Sequence, residues 1–579
     1  MSTCCMAARY ICSGKYPPEI REILGGICMG IYLNPGSDRY EEALRTEIYV
    51  DKTNMISFLN SVVNTKRKYV AVSRPRRFGK TTTADMISAY YDCSINARDL
   101  FEDKKISTNP KLYEAGREGK KSPWDIYLNK FYVIHVNMVD LATETGSIPE
   151  MLFSLEKAVM RELREEWPNA DRDMQGGLRL LMQEIYNREK ARFVIVIDEW
   201  DCIFREFKED TDGQRLYLDF LRDWLKDKSY IALAYITGIL PIKKYGQHSA
   251  LNMFGEYSML QPQQLAEYVG FMDEEVRELC EKHGRSYDDI KAWYDGYDLY
   301  GIIPPGEKEP EEYQIYNPYS VVQAVITGRI CDYWNATETY EALSVHINRN
   351  FDGLKDMVML LMEGKRIPVN TRKYQNDMSS MANADDVLTL LIHLGYLAYD
   401  SERRESYIPN REILDEYRNT VEGNGEWDQL YSVLARSQKL LEATWAGDED
   451  EVARLVEDAH MRAGNLTYNS EAALSYAVRL AYFNAEQYYT LIPEMQAGRG
   501  YADLAYIPSP KYPDKPAILV ELKWNKDAET AMTQILDRRY PDSLEKYRGN
   551  IILVAIDYNK EVTSGCKGYK HHSCRIGRA

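Results

Sequence analysis

Three short segments constrain the fold more than anything else in this chain. "YVAV" (69–72), "FVIVI" (193–197) and "IALAYI" (231–236) are apolar at every position, not at every second one. A strand with one wetted face alternates, so an unbroken apolar run has to be buried on both faces, as in a parallel sheet covered by helices on either side. "KFYVIHVNM" (130–138) reads as another strand, "EIYVDKTNMISFLN" (47–60) as a short strand running into a helix, and "EMLFSLEKAVMRELREEW" (150–167) as an amphipathic helix. Apolar strands alternating with helices predict an α/β domain around a parallel sheet.

The first of these strands opens a telling order of elements. "KYVAVSRPRRFGKTTTADMISAYY" (68–91) is strand, loop and helix, and the loop ends in Gly79-Lys80-Thr81. A phosphate-binding loop works because backbone N–H groups at a helix N-terminus point at phosphate oxygens, while a lysine reaches the terminal phosphates and a Ser/Thr hydroxyl takes the magnesium. Lys80 and Thr81 stand where those roles require them. The position at which the pattern opens with glycine holds Arg74, and Pro75 beside it has no N–H to offer, so the cradle must differ locally. Arg76 and Arg77 are candidates to contact phosphate through their guanidinium groups. Alone, the stretch would read as a basic turn before a helix.

It does not stand alone. Farther on, "VIVIDEWD" ends an apolar strand in Asp198-Glu199, a Walker B pattern in which the first acid binds magnesium through water and the second polarises the attacking water. The alternative, a buried strand with acids at its exposed end, is outweighed by the order, the spacing and the shared α/β context. Thr237, closing "IALAYIT", is either a polar sensor of the γ-phosphate or a strand-end hydroxyl.

"GIYLNPGSDRYEEALRTEIYVDKT", "SRPRRFGKTTT", "VIVIDEWD", "YITGI", "WYDGY", "IYNPYS" and "DYW" succeed one another along the chain. In this order the sequence resembles a large bacterial family with an N-terminal predicted AAA-type ATPase domain and a C-terminal PD-(D/E)XK nuclease-superfamily domain. The resemblance runs from about Gly30 to Tyr558. It implies that the arginine at position 74 is usual for the family, and that ATP and Mg2+ are the cofactors.

The far end carries a second constellation. In "GRGYADLAYIPSPKYPDKPAILVELKW" (498–524), Ile518, Val520, Leu522 and Trp524 share one strand face, which sends Glu521 and Lys523 to the other. Asp503 lies on the preceding strand, where pairing would bring it beside Glu521. Asp…Glu-x-Lys is the core of the PD-(D/E)XK pattern: two carboxylates hold a hard cation, which activates water, and lysine stabilises developing charge. The alternative is a solvated hairpin with an ordinary Glu–Lys face. The resemblance further implies an additional acid at Glu471 and a glutamine at Gln534 on the helix "AETAMTQILDRRY".

Composition narrows the setting. The 579 residues exceed one hydrophobic core and predict several domains. No apolar run approaches the length needed to cross a bilayer, and the N-terminus lacks a secretory segment, so the expectation is a cytoplasmic protein with no membrane partner. The ten cysteines form neither a disulfide framework nor a C-x-x-C zinc site, and "CKGYKHHSC" (566–574) is expected to be a floppy polar tail. Of the net charge of −17, residues 461–579 contribute +3, from 16 basic against 13 acidic, which leaves −20 for the rest. A polyanion partner, DNA or RNA, is therefore expected only at the C-terminal end.

The sequence thus predicts a lead-in (1–30), a P-loop AAA-like ATPase domain (31–265), a helical lid (266–345), a helical or winged-helix-like linker (346–465), a nuclease-like α/β domain (466–560) and a tail (561–579). The function expected is an ATP-binding hydrolase coupled to a magnesium-dependent nuclease. Competing readings are a non-catalytic ATP-dependent switch or scaffold with a silent nuclease fold, and a P-loop phosphotransferase.

Overall fold

The computed structural model describes residues 30–108, 123–170, 177–242, 251–334, 353–372, 374, 381, 383–422, 428–462, most of 474–559, and 571–579. Residues 1–29, Glu471 and Cys566 lie outside them. The chain divides into two compact units, residues 1–417 and 418–579.

The first unit is built on a five-stranded sheet of β1 (Tyr69–Ser73), β2 (Tyr132–Asn137), β3 (Phe193–Asp198), β4 (Ile231–Gly238) and β5 (Gly255–Tyr257), in the order β2-β3-β4-β1-β5. Every neighbouring pair is parallel. Every residue of β1, β3 and β4 is buried, the two-sided burial that their unbroken apolar runs demand. Amphipathic helices cover the sheet. The helix Ile148–Glu166 starts where Ser147 accepts the N–H of Glu150 and buries Met151, Leu155, Val159 and Leu163 along one stripe. Because the strands are parallel, the ends of β1 and β3 open on one side, where ligands bind in sheets of this kind.

Two small antiparallel sheets come next in the same unit. β6 (Phe271–Met272), β7 (Tyr297–Tyr300) and β8 (Glu312–Tyr316) are ordered β6-β8-β7. β9 (Ile367–Pro368), β10 (Ala398–Asp400) and β11 (Glu405–Tyr407) are ordered β10-β11-β9. The hairpin of β10 and β11 lies between the helices Ala384–Leu394 and Arg411–Glu422. "WYDGY" joins the two layers: Gly296 adopts φ +129°, a β-carbon there would collide with the carbonyl of Pro409, and the hydroxyl of Tyr297 donates to the Gly395 carbonyl at 2.6 Å.

The second unit holds a mixed sheet of β12 (Tyr489–Ala497), β13 (Gly500–Pro508), β14 (Ala517–Trp524), β15 (Ile551–Tyr558) and β16 (His572–Arg578), paired in chain order. Only β14 and β15 run parallel, joined through the helix Ala528–Asp537. One face packs Ile518, Val520, Leu522 and Val554 against Leu440, Val452 and Val456 of the helices Asp428–Ala446 and Glu449–Arg462. The other packs Ala517, Leu519 and Leu553 against Ala531 and Ile535 of the helix Ala528–Asp537.

Two sequence expectations are corrected here. The end of the chain is no floppy tail: residues 572–578 pair with β15 along their length, and Cys574 is buried in the core. The compact unit also reaches beyond 466–560, because the helices over residues 428–462 cover one face of its sheet. Among the described residues no helix is long and apolar enough to cross a membrane.

Candidate functional site

The loop after β1 and Glu199, just past β3, meet at the sheet's open side, lining a cleft of about 860 Å3. Gly79, φ +86°, caps the helix Lys80–Tyr91, a backbone that glycine adopts without strain. The Thr81 hydroxyl donates to Asp198 Oδ2 at 2.7 Å across 117 residues of sequence. Lys80 is buried, its Nζ 3.0 Å from the carbonyl of Pro75 and 3.8 Å from Glu199 Oε1. Burial pulls the Lys80 ammonium below its usual value, against the pull of Glu199 and Asp198. Burial likewise raises the Asp198 carboxyl, partly offset by the Thr81 hydroxyl.

The four residues of "DEWD" divide their work. Asp198 faces Thr81. Glu199 turns into the cleft from a left-handed backbone, φ +50°, a strained state of the kind found at functional sites. Trp200 is buried, and Asp201 accepts the N–H groups of Ile239 and Leu240 at 3.2 and 2.9 Å, anchoring the end of β4. A β-carbon at Gly238 would collide with that carboxylate, which accounts for the glycine of "YITGI".

Arg74, standing where the usual loop opens with glycine, is wholly buried. Its Nη1 donates to the carbonyls of Ser73 (2.9 Å) and Tyr257 (3.1 Å), and its Nη2 to that of Leu265 (3.0 Å). Desolvation lowers its pKa to about 10, so it stays charged at neutral pH. Its neighbours are used in the same way. A β-carbon at Gly395 would press on Pro75 and Trp334, and the Phe78 ring meets Tyr297 edge-on at 5.4 Å. The glycine-poor loop is therefore tied to segments beyond the sheet.

Arg76 and Arg77 both line the cleft, and Arg77 also donates to the carbonyls of Tyr333 and Trp334. Thr237 does not line it: its buried hydroxyl donates to Val72 at 3.0 Å, the strand-end alternative. Arg205 was missed. Its Nη2 lies 2.6 Å from Glu199 Oε2 and its Nε 3.3 Å from Asp201 Oδ2. The signal was the four-residue spacing from Asp201 on the short helix Cys202–Glu206.

In the second unit, Glu521 and Lys523 share the sheet face opposite Ile518, Val520 and Leu522. That face is covered rather than solvated, with Glu521 only 2% exposed. Lys523 Nζ donates to Glu521 Oε1 at 2.7 Å, and the Gln534 amide donates to the same oxygen from the overlying helix. Asp503 stands on β13 beside them, its Oδ2 accepting the Leu522 N–H at 2.6 Å. Asp503, Glu521, Lys523 and Gln534 are thus brought together.

Residues 36–247 match the family described as a predicted AAA-ATPase, and residues 474–566 match the PD-(D/E)XK nuclease superfamily. The chain carries both domains, in that order. An uncharacterized protein in the vnfD 5' region of Azotobacter chroococcum mcd 1 is 22% identical over 305 residues, 50% of this chain and 51% of that protein. The chain thus spans about half the length of this curated relative. Among solved structures, the Walker-type ATPase PABY2304 of Pyrococcus abyssi is similar at 11% identity and a TM-score of 0.31, covering 63% of this chain and 94% of that one. Cdc6p from Pyrobaculum aerophilum is similar at 10% identity and a TM-score of 0.21, covering 67% and 95%.

The ATPase-like domain fits a magnesium nucleotide on its own geometry: the Thr81 hydroxyl, the Lys80 ammonium and a helix N-terminus line one cleft, and the buried Asp198 carboxylate lies 2.7 Å from that hydroxyl. In the nuclease-superfamily domain the fit to a cation rests on two carboxylates, Asp503 and Glu521. Among the described residues no cluster of three or more His, Cys, Asp or Glu side chains has metal-holding geometry.

Proposed function

We propose that this protein binds and hydrolyses ATP and uses its C-terminal domain as a metal-dependent nuclease on DNA or RNA. The observation that carries the reading is the meeting of Thr81 and Asp198 at 2.7 Å with Lys80 and Glu199 beside them. Lys80 would hold the terminal phosphates, Thr81 and Asp198 the magnesium, and Glu199 would take the proton of the attacking water. Arg76 would add a guanidinium contact to phosphate. At the C-terminal site Asp503 and Glu521 would hold the cation and Lys523 would stabilise charge developing on phosphate. A bound cation would supply charge neutralisation at both sites and an activated water at the second. Glu471 is proposed as a further acid of that site, and Gln534 as the residue that orients Glu521.

A second reading, an ATP-dependent switch with slow turnover, has one observation in its favour. Arg205 grips Glu199 Oε2 at 2.6 Å, which occupies an oxygen that would otherwise face the attacking water. The deciding experiment incubates the full chain with plasmid, single-stranded DNA and RNA, with magnesium or manganese, with and without ATP. Cleavage together with phosphate release supports the enzyme. ATP binding with neither supports the switch.

A further inference from the structure

Arg77 is shared between two surroundings. It lines the cleft beside Arg76, Gly79 and Lys80. Yet its guanidinium Nη1 donates to the carbonyls of Tyr333 at 2.7 Å and Trp334 at 2.8 Å, and its plane lies 4.5 Å over the ring of Tyr319. Its backbone is left-handed, φ +68°, which a non-glycine residue keeps only where its surroundings hold it.

The gripped segment is held from its other side. The N–H of Tyr333 donates to Glu412 Oε1 at 2.8 Å, and the N–H of Trp334 to Asp332 Oδ1 at 2.8 Å. Glu412 is the second residue of the helix Arg411–Glu422, through which the chain passes residue 417, the last of the first unit. Tyr333 is therefore fixed on its carbonyl by the phosphate loop and on its N–H by the outgoing helix. Of the motif "DYW", all three residues take part.

We propose that Arg77 is a phosphate sensor, exchanging the carbonyls of Tyr333 and Trp334 for phosphate oxygens of a bound nucleoside triphosphate and so releasing the 331–334 segment and its hold on Glu412. The exchange has a direction, because a guanidinium meets a phosphate with opposite charge and two parallel N–H···O bonds, whereas the carbonyls carry no net charge. It also meets the requirement that a ligand moves an equilibrium only through contacts that differ between the two states. The inference rests on the nucleotide reading above, and concerns how that site is read out.

Hydrogen–deuterium exchange on the full chain, with and without ATP and magnesium, tests it. Peptides covering 331–334 and 411–422 should exchange faster by roughly tenfold when ATP is saturating. In Arg77→Ala they should exchange fast from the start and no longer respond to ATP. Protection of residues 79–83 by ATP reports binding independently. If ATP protects 79–83 in the wild type while 331–334 is unchanged, or if Arg77→Ala keeps the wild-type response, the sensor is overturned and the nucleotide site stands. If 79–83 is not protected, or is protected equally in Lys80→Ala, the nucleotide reading fails and the sensor with it. The wild-type comparison alone decides the matter should Arg77→Ala fold poorly.

Discussion

The guanidinium of Arg74 donates to the carbonyl of Leu265 at 3.0 Å, from a fully buried position at the end of the phosphate strand to a residue 191 positions along the chain. The residue that breaks the usual loop pattern is thus a tie between the sheet and the segment around Leu265. It touches the carbonyls of Ser73, Tyr257 and Leu265, and no phosphate contact need be assigned to it.

Restoring the glycine should therefore harm the protein. Arg74→Gly leaves three buried carbonyls without their donor and opens a cavity, and the expected loss is about 3 kcal/mol or more. Thermal or urea unfolding of the variant should show it. A variant as stable as wild type would mean that these hydrogen bonds contribute nothing net.

At the cleft, Lys80→Ala should weaken ATP binding by ten- to a hundredfold, about 1.5–3 kcal/mol for a lost charge-assisted contact. Glu199→Gln should keep ATP bound and cut turnover by about a hundredfold or more, since it removes the base and preserves the shape. Calorimetric titration and phosphate release separate the two effects. Equal hydrolysis by wild type and Glu199→Gln would leave Glu199 with only its ion pairs to Arg205 and Lys80.

The first unit should also show a pH signature traceable to Glu412. Burial raises its carboxyl from 4.5 to about 7, and the neighbouring Glu416, beside Asp332, is raised to about 8. A folded-state value above the unfolded one means that the folded protein holds the proton more tightly. The stability gained is full below about pH 4.5 and is lost as pH rises through about 7. Glu412→Gln keeps an acceptor for the Tyr333 N–H without the charge. It should be more stable than wild type by about 3 kcal/mol at pH 8 and no more stable at pH 4.5. Unfolding curves at the two pH values check this, and identical differences at both would refute it.

Much of this was legible in the chain. Unbroken apolar runs revealed the buried strands, and "GKT" with "VIVIDE" marked the cleft, because those signals are local. The role of Arg74 was not, since its partners Tyr257 and Leu265 are brought to it only by folding. The last strand was readable in principle: His572 and Cys574 point inward while Ser573 and Arg575 stay exposed, the period-two pattern of a strand. Its polar composition reads as a loose terminus instead. The helices over 428–462 were legible as helices, but a helical stripe does not say which sheet it will cover.

The C-terminal site offers the sharpest test. Asp503 and Glu521 differ in their surroundings, and the structure predicts different failures for each. Glu521 is buried under the helix Ala528–Asp537 with Lys523 and Gln534 donating to one of its oxygens. Glu521→Gln removes the charge that would hold a cation and should abolish metal-dependent cleavage with little change in fold. Asp503 also holds the Leu522 N–H at 2.6 Å, so Asp503→Ala should lose cleavage and, in addition, about 1 kcal/mol of stability, while Asp503→Asn should recover the stability without the cleavage. Lys523→Met should keep cation binding and slow the chemistry, because lysine coordinates nothing and acts only on developing charge. ATP binding should survive all four substitutions, since Lys80 and Thr81 belong to the other compact unit. Manganese titration, a nuclease assay and ATP titration on the full chain read these outcomes together. If the wild type cleaves no nucleic acid and Glu521→Gln binds manganese as tightly as wild type, the acidic pair is a structural feature of a buried sheet face, and the protein's chemistry is confined to the nucleotide cleft.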